Sequence, residues 1–121
     1  MKYERITREQ LFALPSKGGC SYHNSNLHMP ESALEQLFGA SEAGDGYKTR
    51  GQWFFKDEEG TLYCIYDWKD ERDCDGQVIY HIGSYKVGEP ENYRNRMPIA
   101  VAREARFVQH VVQLALMVKL Y

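Results

Sequence analysis

Large aromatic residues crowd the segment 47–84, and this segment constrains the fold more than any other part of the chain. Side chains of a β-strand point alternately to opposite faces, and aromatic residues are favoured in strands. The pattern predicts strands over 52–56, 61–68 and 77–84, with Gly60 in the tight turn between the first two. Both faces of the middle strand are mostly apolar, so we expect the sheet to be covered on both sides. The aromatic residues concerned are Trp53, Phe54, Phe55, Tyr63, Tyr66, Trp68 and Tyr80.

Two short helices are predicted before this sheet. The Thr7–Gln10 sequence has the spacing of a capping box and predicts a helix that stops before Pro15. Pro30 suits the first position of a second helix, and Gly39 suits its end. The apolar residues expected to face inward from the first helix are Leu11, Phe12 and Leu14. Polar or glycine-rich segments are predicted as loops, and these are 16–28, 41–46 and 88–96.

The longest predicted element is a helix from Pro98 to Leu120. Two adjacent apolar stripes run along it, and polar residues take the opposite face. The apolar arc is wider than one sheet face requires, which favours a homo-oligomer in addition to packing on the sheet. The first stripe comprises Val101, Ala105, Val108, Val112 and Ala115, and the second comprises Phe107, Val111, Leu114 and Val118. The residues expected to face away from the core are Arg103, Arg106, His110 and Gln113.

These elements predict one α+β domain over residues 1–121, with a small antiparallel sheet of three or more strands packed on a long C-terminal helix. Two short N-terminal helices complete it. The 121 residues suffice for a single core, and contents of 43% hydrophobic and 26% charged residues are typical of a soluble globular protein. Three cysteines without framework spacing favour reduced thiols. No signal peptide or membrane span is predicted, so we expect a cytoplasmic protein.

Composition and motifs argue against several functions. A net charge of −2 does not suit nonspecific nucleic-acid binding through a basic surface. The chain has no glycine-rich phosphate loop and no nucleophile elbow. The nearest approach to a metal site is a set of three possible ligands, where structural zinc needs four, and these are Cys20, His23 and His28. We therefore expect a binding protein with no catalytic residues, metal or cofactor.

Aromatic and basic residues occur together near the predicted strand ends. An aromatic face can stack on a base, and Lys or Arg can hold a phosphate. We therefore predict a site that binds a nucleotide-like ligand without turning it over. Core packing of the aromatic residues and solubilising surface cations are the alternative explanation of the same pattern. The predicted ligand-binding residues are Tyr47, Lys48, Arg50, Tyr66, Trp68, Lys69, Arg94 and Arg96.

The acidic residues of the two predicted turns support a second interpretation. A cluster of carboxylates can capture a basic protein surface by charge complementarity, and such capture is fast and sensitive to salt. The chain would then be an inhibitor that binds another protein. The residues assigned to that surface are Asp57, Glu58, Glu59, Asp70, Glu71, Asp73 and Asp75.

The pattern GYK-x2-GQWFF-x4-G-x-LYCIYDWK, followed by YHIGS, lies within residues 44–84. It resembles small accessory proteins encoded by tailed bacteriophages. The resemblance implies a viral, non-enzymatic binding protein that acts in the host cytoplasm against host defence. Such proteins sequester a nucleotide signal or bind a defence complex such as a CRISPR effector, so an anti-CRISPR-like inhibitor is the alternative. No functional motif of these proteins assigns site residues here.

Overall fold

A computed structural model describes residues 1–14, 23–44, 46, 48–89 and 92–119. The elements follow one another in the order β1 (Tyr3–Ile6), α1 (Arg8–Phe12), β2 (His23–His28), α2 (Glu31–Phe38), β3 (Glu42–Ala43), β4 (Gly51–Asp57), β5 (Leu62–Arg72), β6 (Val78–Tyr85) and α3 (Tyr93–Met117).

The sheet is antiparallel throughout, and its main path runs β1-β4-β5-β6-β2. The two-residue strand β3 also pairs with β4, in a segment that was predicted as a loop. The three strands predicted from the aromatic pattern are confirmed as β4, β5 and β6. The α+β fold, with an antiparallel sheet packed against a long C-terminal helix, is likewise confirmed.

The main core lies between one face of the sheet and helix α3. Alternation along the strands brings the same face of β4, β5 and β6 together, with Phe55 opposite Tyr63 and Ile65 opposite Ile82. Tyr63 stacks on Phe107 of α3, with ring centroids 4.8 Å apart and an interplanar angle of 21°. Such stacking adds to the apolar burial that holds helix and sheet together.

The opposite face of the sheet carries a smaller apolar cluster, which α1 covers. Leu11 is buried against Phe54 and Leu62 in this cluster. The capping box is confirmed, because the Thr7 hydroxyl accepts from the Gln10 amide at 3.1 Å and the Gln10 side chain accepts from the Thr7 amide at 2.8 Å. Phe12 was expected to face inward, but it is 64% exposed. A five-residue helix has room for few inward positions, and Leu11 is the residue of α1 that is buried.

Strands β1 and β2 lie in segments where the sequence pattern predicts no strand. The loop prediction for 16–28 is wrong over His23–His28, which pairs with β6 at the edge of the sheet. Its one strongly apolar residue, Leu27, is buried opposite Tyr80. One apolar residue is too few to produce the apolar–polar alternation by which a strand is recognised in a sequence. The rest of that predicted loop, residues 16–22, lies outside the described residues.

Helix α3 begins at Tyr93 rather than at Pro98, so the loop prediction for 88–96 is wrong at its C-terminal end. Asn92 explains the early start, because its side-chain oxygen accepts from the Arg94 amide at 2.9 Å and caps the helix. Pro98 lies inside the helix.

The face of α3 that packs on the sheet also differs from the prediction. Arg103, expected to face away from the core, is buried beside the fully buried Glu104. The hydroxyl of Ser84 donates to the Glu104 carboxylate and accepts from Arg103 Nε at 2.7 Å, and Arg103 also pairs with Glu89. Charged residues can occupy core positions when such partners satisfy them, and periodicity alone does not show this. Val101 is exposed instead.

Candidate functional site

A kink in β5 presents Trp68 on the surface. The pairing of β5 with β6 is irregular between Asp67 and Arg72, and Lys69 and Asp70 both have a φ of +52°. Residues other than glycine seldom adopt positive φ, so a local constraint must hold them there. The Lys69 amide supplies one, since it donates to the Lys48 carbonyl oxygen at 2.6 Å.

The buried carboxylate of Asp67 fixes the segment that precedes β4. Its Oδ1 accepts from the Arg50 amide at 2.8 Å and from the Gly51 amide at 3.1 Å. Asp67 is only 3% exposed, and bonds from backbone amides to a charged acceptor are strong in such surroundings. Asp67 therefore holds residues 48–51 against β5 and sets Lys48 beside Trp68.

The resulting site, which we call the Trp68 platform, consists of Trp68, Lys48 and Lys69. The indole is 36% exposed. The ammonium nitrogens of Lys48 and Lys69 lie 5.6 Å and 5.7 Å from a ring centroid of the indole, within the range of cation–π interactions. The platform thus offers a flat apolar ring bordered by two positive charges.

Tyr66 lies on the same face of β5 as Trp68, two residues earlier. Two residues of a strand span about 6.6 Å, so the two rings are neighbours along the strand. Tyr66 is half-buried, and its ring centroid lies 5.7 Å from that of His81 on β6. The Tyr66 ring therefore lies between the Trp68 platform and His81, and it does not form a second open stacking surface.

Arg50 was predicted to bind phosphate, but its guanidinium lies in ion pairs within the protein. Its Nη2 lies 2.6 Å from Asp70 Oδ1, and its Nε lies 3.6 Å from Asp67 Oδ2. Arg72 approaches the same oxygen of Asp70 at 3.0 Å. Arg50 thus stabilises the kink beside the platform, and its charge is largely matched by these two carboxylates.

Arg94 and Arg96 do not join the predicted site. Arg96 is only 6% exposed, with its guanidinium 5.8 Å from the centroid of the Tyr85 ring. Tyr85 pairs with Leu62, which is the first residue of β5 and lies far along the strand from Trp68. Six residues of strand separate Leu62 from Trp68, which corresponds to about 20 Å. The structure therefore contradicts a single site that includes these arginines, and Tyr47 lies outside the described residues.

The acidic turns have a shared internal design. Asp57 and Asp73 each begin a hairpin loop, and each accepts two backbone amide bonds at 2.9 to 3.0 Å from residues two and four positions later. Gly60 and Gly76 close these loops with φ of +82° and +81°. This arrangement is an Asx-type turn, and it explains the aspartates as parts of the loop backbone.

The assignment of Asp57 to a partner-binding surface is therefore wrong. It is buried, and besides the two amides it accepts from the Tyr63 hydroxyl at 2.9 Å. Burial raises the pKa of Tyr63, and the hydrogen bond to Asp57 raises it further, so the phenol stays a donor. Asp73 also accepts from His28 Nδ1 at 2.9 Å.

The other acidic residues lie on the surface, where several have partners within the chain. Glu58 accepts from the Lys2 amide at 2.7 Å, Glu59 lies 3.4 Å from Lys86, and Glu71 lies 3.4 Å from His81. Asp70 is shared between two arginines. Among these residues, Asp75 alone has a carboxylate with no hydrogen bond or ion pair to the described part of the chain.

The residue that the sequence analysis missed at this site is Asp67. The predicted alternation of the middle strand places it on the same face as Tyr63 and Ile65, both of which are buried. A carboxylate on a predicted buried face is a signal that it has a specific partner. That signal could have identified Asp67 as the residue that organises the site.

No protein-family profile, curated protein or solved structure matches this chain. Within the described ranges, no group of three or more His, Cys, Asp or Glu side chains is placed to hold a metal ion. The predicted set of Cys20, His23 and His28 lies partly outside those ranges. No helix in the described part of the chain combines the length and the apolar character that crossing a membrane requires.

Proposed function

We propose that the protein binds a planar anionic ligand of the nucleotide type on the Trp68 platform, without turning it over. The observation that carries the proposal is the exposed indole of Trp68 with the ammonium groups of Lys48 and Lys69 at its border. A base stacked on the indole would place its phosphates among these cations. The proposed site is smaller than the predicted one, because Arg94 and Arg96 lie too far away.

The fixed backbone of the platform supports this proposal. Asp67 and the Lys69–Lys48 hydrogen bond hold the two segments together without a ligand. A site that is ordered beforehand loses less conformational entropy on binding than one that forms around its ligand.

Isothermal titration calorimetry with cyclic dinucleotides, cyclic mononucleotides and linear mononucleotides tests the proposal. We expect one class to bind, and we expect Trp68→Ala to weaken its binding about tenfold or more, the effect of removing one stacked base. Lys69→Ser should weaken binding several-fold and reduce its dependence on salt. The bound nucleotide should be recovered intact after incubation.

Two variants serve as matched controls for this experiment. Phe12→Ala removes an exposed aromatic ring of α1, and Lys119→Ser removes an exposed lysine after α3. Both should bind like the unmodified protein. Absence of binding across the whole panel would refute the proposal, as would equal binding by Trp68→Ala.

The biological setting that we propose follows from the resemblance to phage accessory proteins. A viral protein that holds a nucleotide signal lowers the free concentration of that signal in the host cell and so counters a defence response. Tight binding without turnover suffices for this role, which agrees with a site made of an aromatic ring and two cations.

The alternative of an inhibitor that binds a defence protein through acidic turns has weaker support. Of the residues assigned to that surface, Asp57 is buried and Asp73 is bonded within its own loop. Glu58, Glu59 and Asp75 remain exposed, but they are distributed over two separate hairpins.

We further propose that the protein forms a homo-oligomer through one flank of α3. An exposed or half-exposed apolar row follows steps of four or three residues beside the buried face of the helix. Such spacing keeps the residues on one flank of a helix, where a second helix could cover them. This row, which we call the α3 stripe, comprises Met97, Val101, Ala105, Val108, Val112 and Leu116.

A further inference from the structure

A concave surface lies on the flank of α3 away from the α3 stripe. It is a cavity of about 380 Å³ between the β4–β5 hairpin, the segment that follows β6, and α3. Its walls include Tyr63 of the sheet, Lys86 of that segment, and Arg103 and Arg106 of α3. Small-molecule sites in proteins begin at about this volume. We call it the α3 cavity.

The polar groups at the base of the α3 cavity are held in place by buried bonds. The Tyr63 hydroxyl donates to Asp57, whose other oxygen accepts the two amides of its loop. Arg103 is held by Glu89 on one side and by Ser84 on the other. These groups are ordered before any ligand arrives, which is the arrangement expected of a preformed site.

The lining of the α3 cavity holds three carboxylates and three cations, so its formal charges balance, but one of the cations has no carboxylate partner. Each of its carboxylates has a partner, since Asp57 accepts from Tyr63, Glu89 pairs with Arg103, and Glu59 lies 3.4 Å from Lys86. Arg106 is exposed and forms no ion pair with any carboxylate of the described residues. The Lys86–Glu59 pair is itself exposed and therefore weak. An anion entering the cavity would meet Arg106 and Lys86.

The border of the α3 cavity is apolar. Val87 is 59% exposed and Ile99 is 52% exposed, and both line the cavity. Exposed apolar side chains at the mouth of a cavity gain free energy when an apolar group covers them. The cavity thus combines an apolar border with one arginine, Arg106, whose charge no carboxylate of the described residues matches.

We infer that the α3 cavity binds a small organic anion with an apolar body, a carboxylate or a phosphate monoester, whose charged group lies at Arg106 and Lys86. Its apolar body would lie against Val87 and Ile99. This site is separate from the Trp68 platform, because Asp57 and Tyr63 belong to the hairpin end of β4 and β5 and Trp68 lies toward the other end of β5. The two sites can therefore be tested independently.

Calorimetric titration of the full chain with octanoate, octyl phosphate and 1-octanol tests this inference. We expect at least one anion to bind and the neutral alcohol to bind at least about tenfold more weakly, since hydrogen bonds to a charged group are the stronger kind. Binding of octanoate alone identifies the carboxylate class, and binding of octyl phosphate alone identifies the phosphate class. Butyrate should bind more weakly than octanoate, because less apolar surface is buried.

Arg106→Gln should lower the affinity for the anion about tenfold, whereas Arg94→Gln on the same helix should leave it unchanged. Trp68→Ala should also leave it unchanged, which separates this site from the nucleotide site. Both arginines are exposed, so neither substitution should disturb folding. The inference fails if neither anion binds, if octanol binds as well as the anions, or if Arg106→Gln retains full affinity.

Discussion

At the scale of single residues, Asp57 and Asp73 perform the same backbone chemistry in different surroundings. Both accept two amide bonds within a hairpin loop. Asp57 is buried and also accepts from the buried Tyr63 hydroxyl, whereas Asp73 lies nearer the surface and its third partner is His28. The cost of removing each carboxylate should follow its burial, because water can replace a lost partner only where it has access.

We predict that Asp57→Ala lowers the free energy of unfolding by about 2–4 kcal/mol, since it leaves buried donors without an acceptor. Asp73→Ala should cost less. Urea denaturation followed by circular dichroism measures both. Tyr63→Phe in the Asp57→Ala background should restore part of the loss, because it removes one of the stranded donors. Equal losses for the two aspartate variants would contradict this account.

At the scale of elements, the Asp73 loop fastens the edge strand β2 to the β5–β6 connection. His28, the last residue of β2, bonds to Asp73, and this bond is the main cause that lowers the pKa of the Asp73 carboxyl below its usual value. The backbone bond from Gln77 lowers it further. A carboxyl whose pKa is lower in the folded than in the unfolded state stabilises the fold while it is ionised.

We therefore predict that the free energy of unfolding falls as the pH is lowered from about 5 to about 2, as protons bind Asp73 first in the unfolded chain. Asp73→Asn should be less stable than the unmodified protein near neutral pH, and the difference should shrink through this range. Asp75→Asn, in the same loop, is the matched control. The difference in stability between this variant and the unmodified protein should not change with pH. The explanation is refuted if the gap between Asp73→Asn and the unmodified protein does not depend on pH.

The elements that could be predicted from sequence are those with a strong local pattern. Aromatic alternation gave β4, β5 and β6, and the Thr7–Gln10 capping box gave α1. Strand β2 forms because β6 offers an edge to pair with, a non-local cause that its polar sequence does not reveal. The helix α3 starts at Tyr93 because Asn92 caps it. The prediction placed the start at Pro98 instead, since proline is common in the first turn of a helix.

The candidate site could be predicted only in part for a related reason. Trp68, Lys48 and Lys69 were identified by residue type, and the structure brings them together. Arg96 was identified by the same criterion and lies at the other end of the sheet. Residue type indicates which chemistry a side chain can perform, but its place depends on register and on the kink at Lys69 and Asp70.

At the scale of the whole molecule, the sheet places three surfaces on separate parts of the fold. The Trp68 platform lies at the kink of β5, the α3 cavity lies beside the β4–β5 hairpin, and the α3 stripe lies on the other flank of the helix. A ligand, a small anion and a second copy of the chain could therefore bind together without direct competition.

The α3 stripe supports the last prediction, which concerns assembly. The apolar row continues past the positions that the sheet covers, and Val101 and Leu116 are 39% and 56% exposed. Association of two stripes would bury this surface at a gain of about 25 cal/mol per Å² of apolar area. We expect size-exclusion chromatography with light scattering to give a mass above that of one chain, with the oligomer dissociating on dilution.

Val101→Glu and Leu116→Glu should each shift the protein to a monomer, because a charge at the seam would be buried without a partner. Ala102→Glu is the matched control, since it adds the same charge at an exposed position beside the stripe. It should leave the mass unchanged. Circular dichroism would verify that all three variants keep the fold. A monomeric unmodified protein at high concentration would disprove the proposed assembly, and an oligomer that persists in both stripe variants would place its interface on another surface.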